Sequence, residues 1–447
     1  MPNSYLNRTQ EAATNRKKCT LSMWFKTTDS FGTRDYQLWE TFYSASDRIT
    51  VYIDSSDRLN WIDPSVSPGV HVGTNRKFRD PNAWYHVVFQ IDTTESTASD
   101  RIKIYVNGVQ ETSLHSSTYY DQNDDAAFGT TNHINYIGKY GGNTNNNYNG
   151  YMSHVAFVDG SVVAPTVFGE TDSTSGIWKF KSPSGVTWGN NGFHLKFENS
   201  AALGTDSSGN TNTFTVNGNL KQALDTPSNV HATLNSLNNY YQVDTLSNAN
   251  LTMTGGGQYA PRTATFGLDS GKWYWEVQVN SWQSSDGSSI GISSKTATAA
   301  NYEFVNDSGA TVGYGYFSNG VVYGNNTSQA TGYSTASGTH IIGIALNLTD
   351  NKIAWSYDGT WQGSTDPGSG NTNMISITDP SSLNSGVYFP TFSQKDNSRV
   401  FNINFGNGFF GTTAITSAGS NGNGSLFEYD VPSGYYALNT KNINTYG

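Results

Sequence analysis

Acidic side chains come closest to a catalytic pattern at Glu428-Tyr429-Asp430. A β-glucanase-type strand carries Glu-x-Asp-x-x-Glu, because alternation sets all three carboxyls on one face of the strand. Here the second Glu position is Ser433 and Pro432 interrupts the strand pattern, so bond cleavage is not expected. Nucleophilic hydrolysis fares no better. Cys19 is the single cysteine and lies within a strand pattern, Ser284-Ser285-Asp286-Gly287-Ser288 reads as a turn, and no Gly-x-Ser-x-Gly elbow occurs. The eight histidines are scattered without His-x-x-x-His or Cys/His spacing, which argues against zinc. His86, between Tyr85 and Val87, reads as a hydrogen-bonded, semi-buried imidazole. Asp121, Asp124 and Asp125 on one loop and Asp206 on another are candidate calcium ligands, since loop carboxylates beside Asn suit a hard cation. The same segments also read as Asx turns.

Carbohydrate binding is the better-supported chemistry. Sugars stack apolar C–H faces on aromatic rings and pair their hydroxyls with amides and carboxylates. Trp282, Tyr316, Tyr323 and Trp361, with Asn325 nearby, are the candidate ligand-binding residues. Trp273 and Trp275 are assigned to a core; for Trp282 and Trp361, core and ligand surface remain open alternatives.

The elements that must carry these residues are strands. Thr20–Lys26 alternates, with Leu21, Met23 and Phe25 on one face and the hydroxyls and Trp24 on the other. Arg48–Asp54, Trp84–Phe89 and Arg101–Val106 follow the same rule, and Asn107-Gly108 predicts a type I′ hairpin turn. The second half repeats the style in Gly271–Val279, Ser289–Ile292, Val312–Tyr316, Ile341–Leu348 and Lys352–Tyr357. Glycines within those strands permit close backbone approach. Strands at short, regular spacing predict an all-β fold of two antiparallel sandwiches. Ile177–Phe180 and Phe193–Phe197 are assigned to the last strands of the first sandwich. The boundary is placed near Asp225-Thr226-Pro227-Ser228, giving domains 1–228 and 229–447.

Composition narrows the function classes. The 447 residues carry only 13% charged side chains, against ~25% in an ordinary soluble domain, and 13% aromatics. A net charge of −10 argues against a nucleic-acid partner. No run approaches the ~18 apolar residues of a membrane span. Met1-Pro2-Asn3-Ser4-Tyr5 lacks the marks of a secretory signal, so synthesis in a cytoplasm is expected, and a lone cysteine permits no intrachain disulfide.

Two resemblances rest on these strands. Leu21–Lys26, Trp84–Val88, Ile104–Val109, Tyr136-Ile137-Gly138 and Asn149–Val155, in that order, resemble the laminin-G-like, concanavalin A-like jelly rolls over about residues 1–220. Gly271–Val277, Ser289–Ile292, Val312-Gly313-Tyr314, Ile342–Asn347, Tyr388-Phe389-Pro390 and Phe401–Gly406 resemble a SPRY domain, also a concanavalin A-like sandwich. The pairing, with Asn3–Thr9 in front and Pro432–Asn442 behind, is similar to structural proteins of tailed phages, especially marine ones. That resemblance implies a non-catalytic virion component: a capsid decoration, fibre or tail-fibre part. Its expected partners are other virion proteins, further copies of itself, and a host-surface glycan or protein. No cofactor is expected apart from the candidate calcium. The alternatives are a polysaccharide depolymerase on the same scaffold and a self-assembling surface layer or filament.

Overall fold

The computed structural model describes residues 4–28, 32, 34–143, 146–173, 175–238, 244–257, 259, 261–294, 304–305 and 312–447. Asn3 of the opening segment lies outside them. The chain divides into two compact units, Met1–Gln222 and Ala223–Gly447. Each is a sandwich of antiparallel sheets, and the one α-helix among the described residues is Thr440–Tyr446.

The first unit stacks an eight-stranded sheet on a six-stranded one. The larger runs, in spatial order, Leu114–Thr118, Val70–Lys77, Arg58–Asp63, Asp47–Ile53, Tyr36–Ser44, Ile134–Ile137, Tyr5–Thr9, Thr215–Asn217. The smaller runs Phe193–Leu195, Gly150–Asp159, Lys18–Thr27, Tyr85–Asp92, Ile102–Val106, Val109–Gln110. Leu21, Met23 and Phe25 enter the core with Trp39, Trp61, Val87 and Phe89, as their alternation predicts. Asn107 and Gly108 turn the predicted hairpin with φ of 48° and 79°, the left-handed pair a type I′ turn requires.

Alternation fails as a guide to exposure on the opposite face. Cys19–Thr27 is buried throughout, the outward Ser22 and Trp24 included. The cause is a strap, residues 160–173 and 175–192, laid across the outer face of the six-stranded sheet. Thr20 Oγ1 accepts from Val163 N at 2.8 Å and Gln90 Nε2 donates to Val163 O at 2.8 Å. Phe168, Val186 and Trp188 pack on Ala156 and Val158. Within the strap, Trp178–Phe180 pairs with Gly169–Thr171 and with neither large sheet, whereas Phe193–Leu195 joins the six-stranded sheet at its edge.

The second unit stacks a nine-stranded sheet on a six-stranded one. The larger has the path Thr245–Ser247, Thr252–Thr254, Val400–Asn404, Lys272–Trp282, Ala336–Asn347, Lys352–Tyr357, Thr360–Trp361, with Ile375–Ser376 and Tyr436–Ala437 added at its sides. The smaller runs Arg262–Thr263, Phe389–Ser393, Ser289–Ser293, Gly313–Phe317, Val322–Gly324, Thr327–Ala330. Trp273, Trp275, Val277 and Val279 meet Ile290, Ile292, Ile344 and Phe392 in the core. A second strap, residues 419–438, covers the outer face of this larger sheet through Phe427, Val431 and Tyr435 on Tyr274 and Ala345. Tyr436–Ala437 ends it by pairing in parallel with Trp273 and Tyr274.

Candidate functional site

Under the first strap, Ser22 and His86 stand on neighbouring strands as a hydroxyl and an imidazole within hydrogen-bond reach, 2.8 Å from Oγ to Nε2. A nucleophile and a base so placed are the first two parts of a hydrolytic site. The third partner reverses that reading. Trp178 Nε1 lies 2.9 Å from His86 Nδ1, and an indole N–H only donates. Nδ1 therefore holds the lone pair, the proton of the neutral ring sits on Nε2, and Nε2 donates to Ser22. An imidazole in that tautomer cannot take the serine proton. Burial, and secondarily His154, pushes the His86 pKa down to about 3. Trp24 stacks on one face of the ring at 4.7 Å, while Trp178 lies beside it nearly in plane, its ring 6.0 Å away. His86 is a clamp for the strap.

Two further histidines extend the clamp. His154 stacks on Phe180 at 3.5 Å, His194 stacks on Trp188 at 5.9 Å, and His154 Nδ1 meets His194 Nε2 at 3.4 Å. Burial lowers both, to about 3 for His154 and about 4 for His194. The sequence marks these residues only as dispersed histidines, because the contacts join strands to a distant hairpin.

Under the second strap the holding group is an acid. Glu276 accepts the Glu428 and Tyr429 backbone N–H groups at 2.8 and 2.9 Å and the Tyr274 hydroxyl at 2.9 Å. Its carboxyl is fully buried, and burial raises its pKa to about 7 against the opposing pull of those bonds. Gly343 makes this possible, since a Cβ there would meet Ser356 Oγ and sit 2.8 Å from the Tyr274 hydroxyl. Glu428-Tyr429-Asp430 thus lies in the strap, outside any strand, supplying backbone donors. Asp430 accepts from Ser420 N at 2.6 Å, which holds its pKa down. The acids do not share a strand face.

The candidate ligand-binding residues separate into three places. Trp282 and Tyr316 are not loop-facing; both are fully buried and meet edge to face at 5.2 Å in the core. The pairing of Lys272–Trp282 with Ala336–Asn347 shifts register between Val279–His340 and Ser281–Ser337, the extra residue lying on the Ala336–Asn347 strand, and beyond this bulge Trp282 packs into the core with Val279. Tyr316 points inward with Tyr314, leaving the Gly313 and Gly315 face to Phe304. Tyr323 is half-buried on that outer face, edge-on to Phe317 at 5.0 Å. Asn325 and Asn326 turn the hairpin with φ of 49° and 67°. The Asn325 amide is spent internally: Oδ1 accepts from Gly313 N at 3.1 Å and Nδ2 donates to the Tyr314 hydroxyl at 3.2 Å. Trp361, half-buried on the strand Thr360–Trp361 of the nine-stranded sheet, leans on Tyr274 of the same sheet at 6.4 Å.

The candidate calcium ligands are likewise engaged or apart. Asp124 Oδ2 accepts from Asp121 N at 2.9 Å, closing their own turn, and Asp121 and Asp125 are exposed. Asp206 accepts from His194 N, Ser208 N, Ser208 Oγ and Asn212 N at 2.8–2.9 Å. A carboxylate already holding four donors does not fit a cation ligand. Among the described residues, no three His, Cys, Asp or Glu side chains gather in a way that could hold a metal, and no helix is long and apolar enough to cross a membrane.

Comparison with known proteins agrees with both sandwiches. Residues 3–168 match the Laminin_G_3 family of the concanavalin A-like lectin/glucanases superfamily. Residues 272–408 match the SPRY domain. No curated protein matches the chain. Similar solved structures include the SPRY domain of human HERC1 (15% identity, 38% of this chain and 96% of that one, TM-score 0.28). A heptameric SAP-like pentraxin from Limulus polyphemus is 13% identical over 48% of this chain and 87% of its own, TM-score 0.31. Mouse laminin alpha1 domains LG4-5 are 11% identical over 90% and 86%, TM-score 0.30.

Proposed function

We propose that this chain is a non-catalytic structural component of a tailed-phage virion, a capsid decoration, fibre or tail-fibre part. Its paired sandwiches display turns toward a host-surface glycan or protein. One observation carries the non-catalytic half. The side chains with reactive potential, Ser22 with His86 and Glu276 with the Glu428 segment, are buried and spent on holding straps over sheet faces. The virion half rests on the likeness of the two-domain pairing and its flanking segments to such phage proteins. Synthesis in the host cytoplasm and contact with further copies of the chain belong to the same reading. The hairpin Val322–Gly324 and Thr327–Ala330, with half-exposed Tyr323 and exposed Thr327, Ser328 and Gln329, is the segment best suited to meet a sugar or protein surface.

Immunogold electron microscopy of intact particles with an antibody to this chain tests the proposal. Regular labelling of head or tail is expected, and particles without label would remove the virion assignment. Binding of the purified chain to host cells, without release of reducing ends from their polysaccharide, is expected of an attachment protein. Sustained release would install the depolymerase instead.

A further inference from the structure

On the outer face of the first unit's eight-stranded sheet, three adjacent strands bring two imidazoles to one oxygen. Asn60 is the register partner of Gly73, and Gly73 in turn faces Ser116, where the Leu114–Thr118 strand slips register beside His115. His71 precedes Gly73 by two positions and shares its face. His71 Nε2 lies 2.9 Å and His115 Nε2 2.7 Å from Asn60 Oδ1, with the rings edge to face at 5.4 Å. Gly73 keeps the space open, because a Cβ there would run into both Asn60 Oδ1 and His115 Nε2. Asn60 is fully buried, and its amide nitrogen donates to Arg58 O at 2.8 Å, which orients Oδ1 toward the histidines.

The imidazole–amide separations of these two hydrogen bonds also suit a ligand set. Metal–nitrogen and metal–oxygen bonds of about 2.0–2.1 Å at right angles place neighbouring donor atoms about 2.9 Å apart. Asp54 Oδ2, 4.0 Å from His115 Nε2, adds negative charge nearby, and its ion pair with Arg58 at 3.0 Å balances that cation. We propose that His71 Nε2, His115 Nε2 and Asn60 Oδ1 form a site for a divalent transition metal of the Cu²⁺ or Ni²⁺ class, completed by water. Imidazole nitrogen with amide and water oxygen in a square-planar or tetragonal set suits those ions. On binding, each ring carries its proton on Nδ1 in place of Nε2, so the tautomers exchange without net proton release. Two imidazoles and an amide suffice, so the site needs no third acidic, histidine or cysteine ligand.

The untagged full chain titrated with CuCl₂ tests this by calorimetry and electron paramagnetic resonance. One Cu²⁺ per chain, with splitting from two nitrogens, is the expected result. His71→Gln and His115→Gln each keep an N–H donor for Asn60 while removing the imidazole, so they preserve the fold, checked by circular dichroism, and abolish the two-nitrogen signal. His194→Ala retains it. Absence of stoichiometric binding, or a two-nitrogen signal surviving in either Gln variant, would overturn the assignment.

Discussion

The two sandwiches meet one problem, an outer sheet face too apolar to leave in water, with opposite chemistry. The first holds its strap with neutral imidazoles that stack on aromatic rings and, at His86, accept the Trp178 indole N–H. The second holds its strap with a buried carboxyl that gathers backbone N–H groups. The folded first unit resists adding a proton to His86, His154 and His194, whereas the folded second unit resists removing one from Glu276. Closely related architectures therefore respond to pH in opposite senses, because burial penalises whichever form is charged.

The most severe test of the contrast is Glu276→Ala. It leaves two backbone N–H groups and a tyrosine hydroxyl without their acceptor, and a loss of about 3 kcal/mol is expected in urea unfolding. Glu276→Gln, which keeps one acceptor oxygen, should cost less. Equal losses from the two variants would show that the carboxyl is not what holds the strap. Next is Trp178→Ala, which removes the donor to His86 and the ring that fills the space over Gly108 and Gly169. About 2 kcal/mol is expected, with faster hydrogen exchange confined to the first strap and its sheet face. Global loss of protection would mean that this strap is integral to the first core. Gly343→Ala should cost about 1–2 kcal/mol by driving a methyl group at the Ser356 and Tyr274 hydroxyls.

The smallest net effect is the pH response, since the units oppose each other. The three histidines have folded pKa values below the unfolded value of 6.5. Between pH 6.5 and about 4 the unfolded first unit binds more protons, so its stability is full above 6.5 and falls with acidification. Glu276 has a folded pKa of about 7 against 4.5 unfolded. The folded second unit binds more protons between those values, so its stability is full below 4.5 and falls as pH rises through 7. Glu40 in the first unit, buried beneath Thr50 and Gly141 and also raised to about 7, works against its histidines and blunts the contrast. Hydrogen exchange of the full chain at pH 7 and pH 5, corrected for intrinsic rates, should show protection falling in the first sandwich and rising in the second. Glu40→Gln should enlarge the difference; movement of both units in the same direction would break the comparison.

Much of the fold was legible in order and spacing. The inward row Leu21, Met23, Phe25 and the turn at Asn107-Gly108 are local consequences of strand periodicity and left-handed backbone tolerance. The candidate site was less so. Trp282 was misplaced because the partner strand carries an extra residue between Ser337 and His340, opposite Val279–Ser281, and parity cannot be read through an unseen bulge. Tyr316 carried a usable signal: with glycine on either side, the two tyrosines of Gly313–Phe317 had to share one face, and that face is the core.

By itself the sequence determined that this chain is predominantly β, built as two aromatic-rich sandwiches, because the period-2 rhythm and the Gly and Asn turns act between near neighbours. Only the tertiary structure decided which reactive side chains are free. Ser22, His86 and Trp178, or Glu276 and Glu428, meet across long stretches of chain, and hydrogen-bond direction, tautomer and burial exist only once that meeting is made.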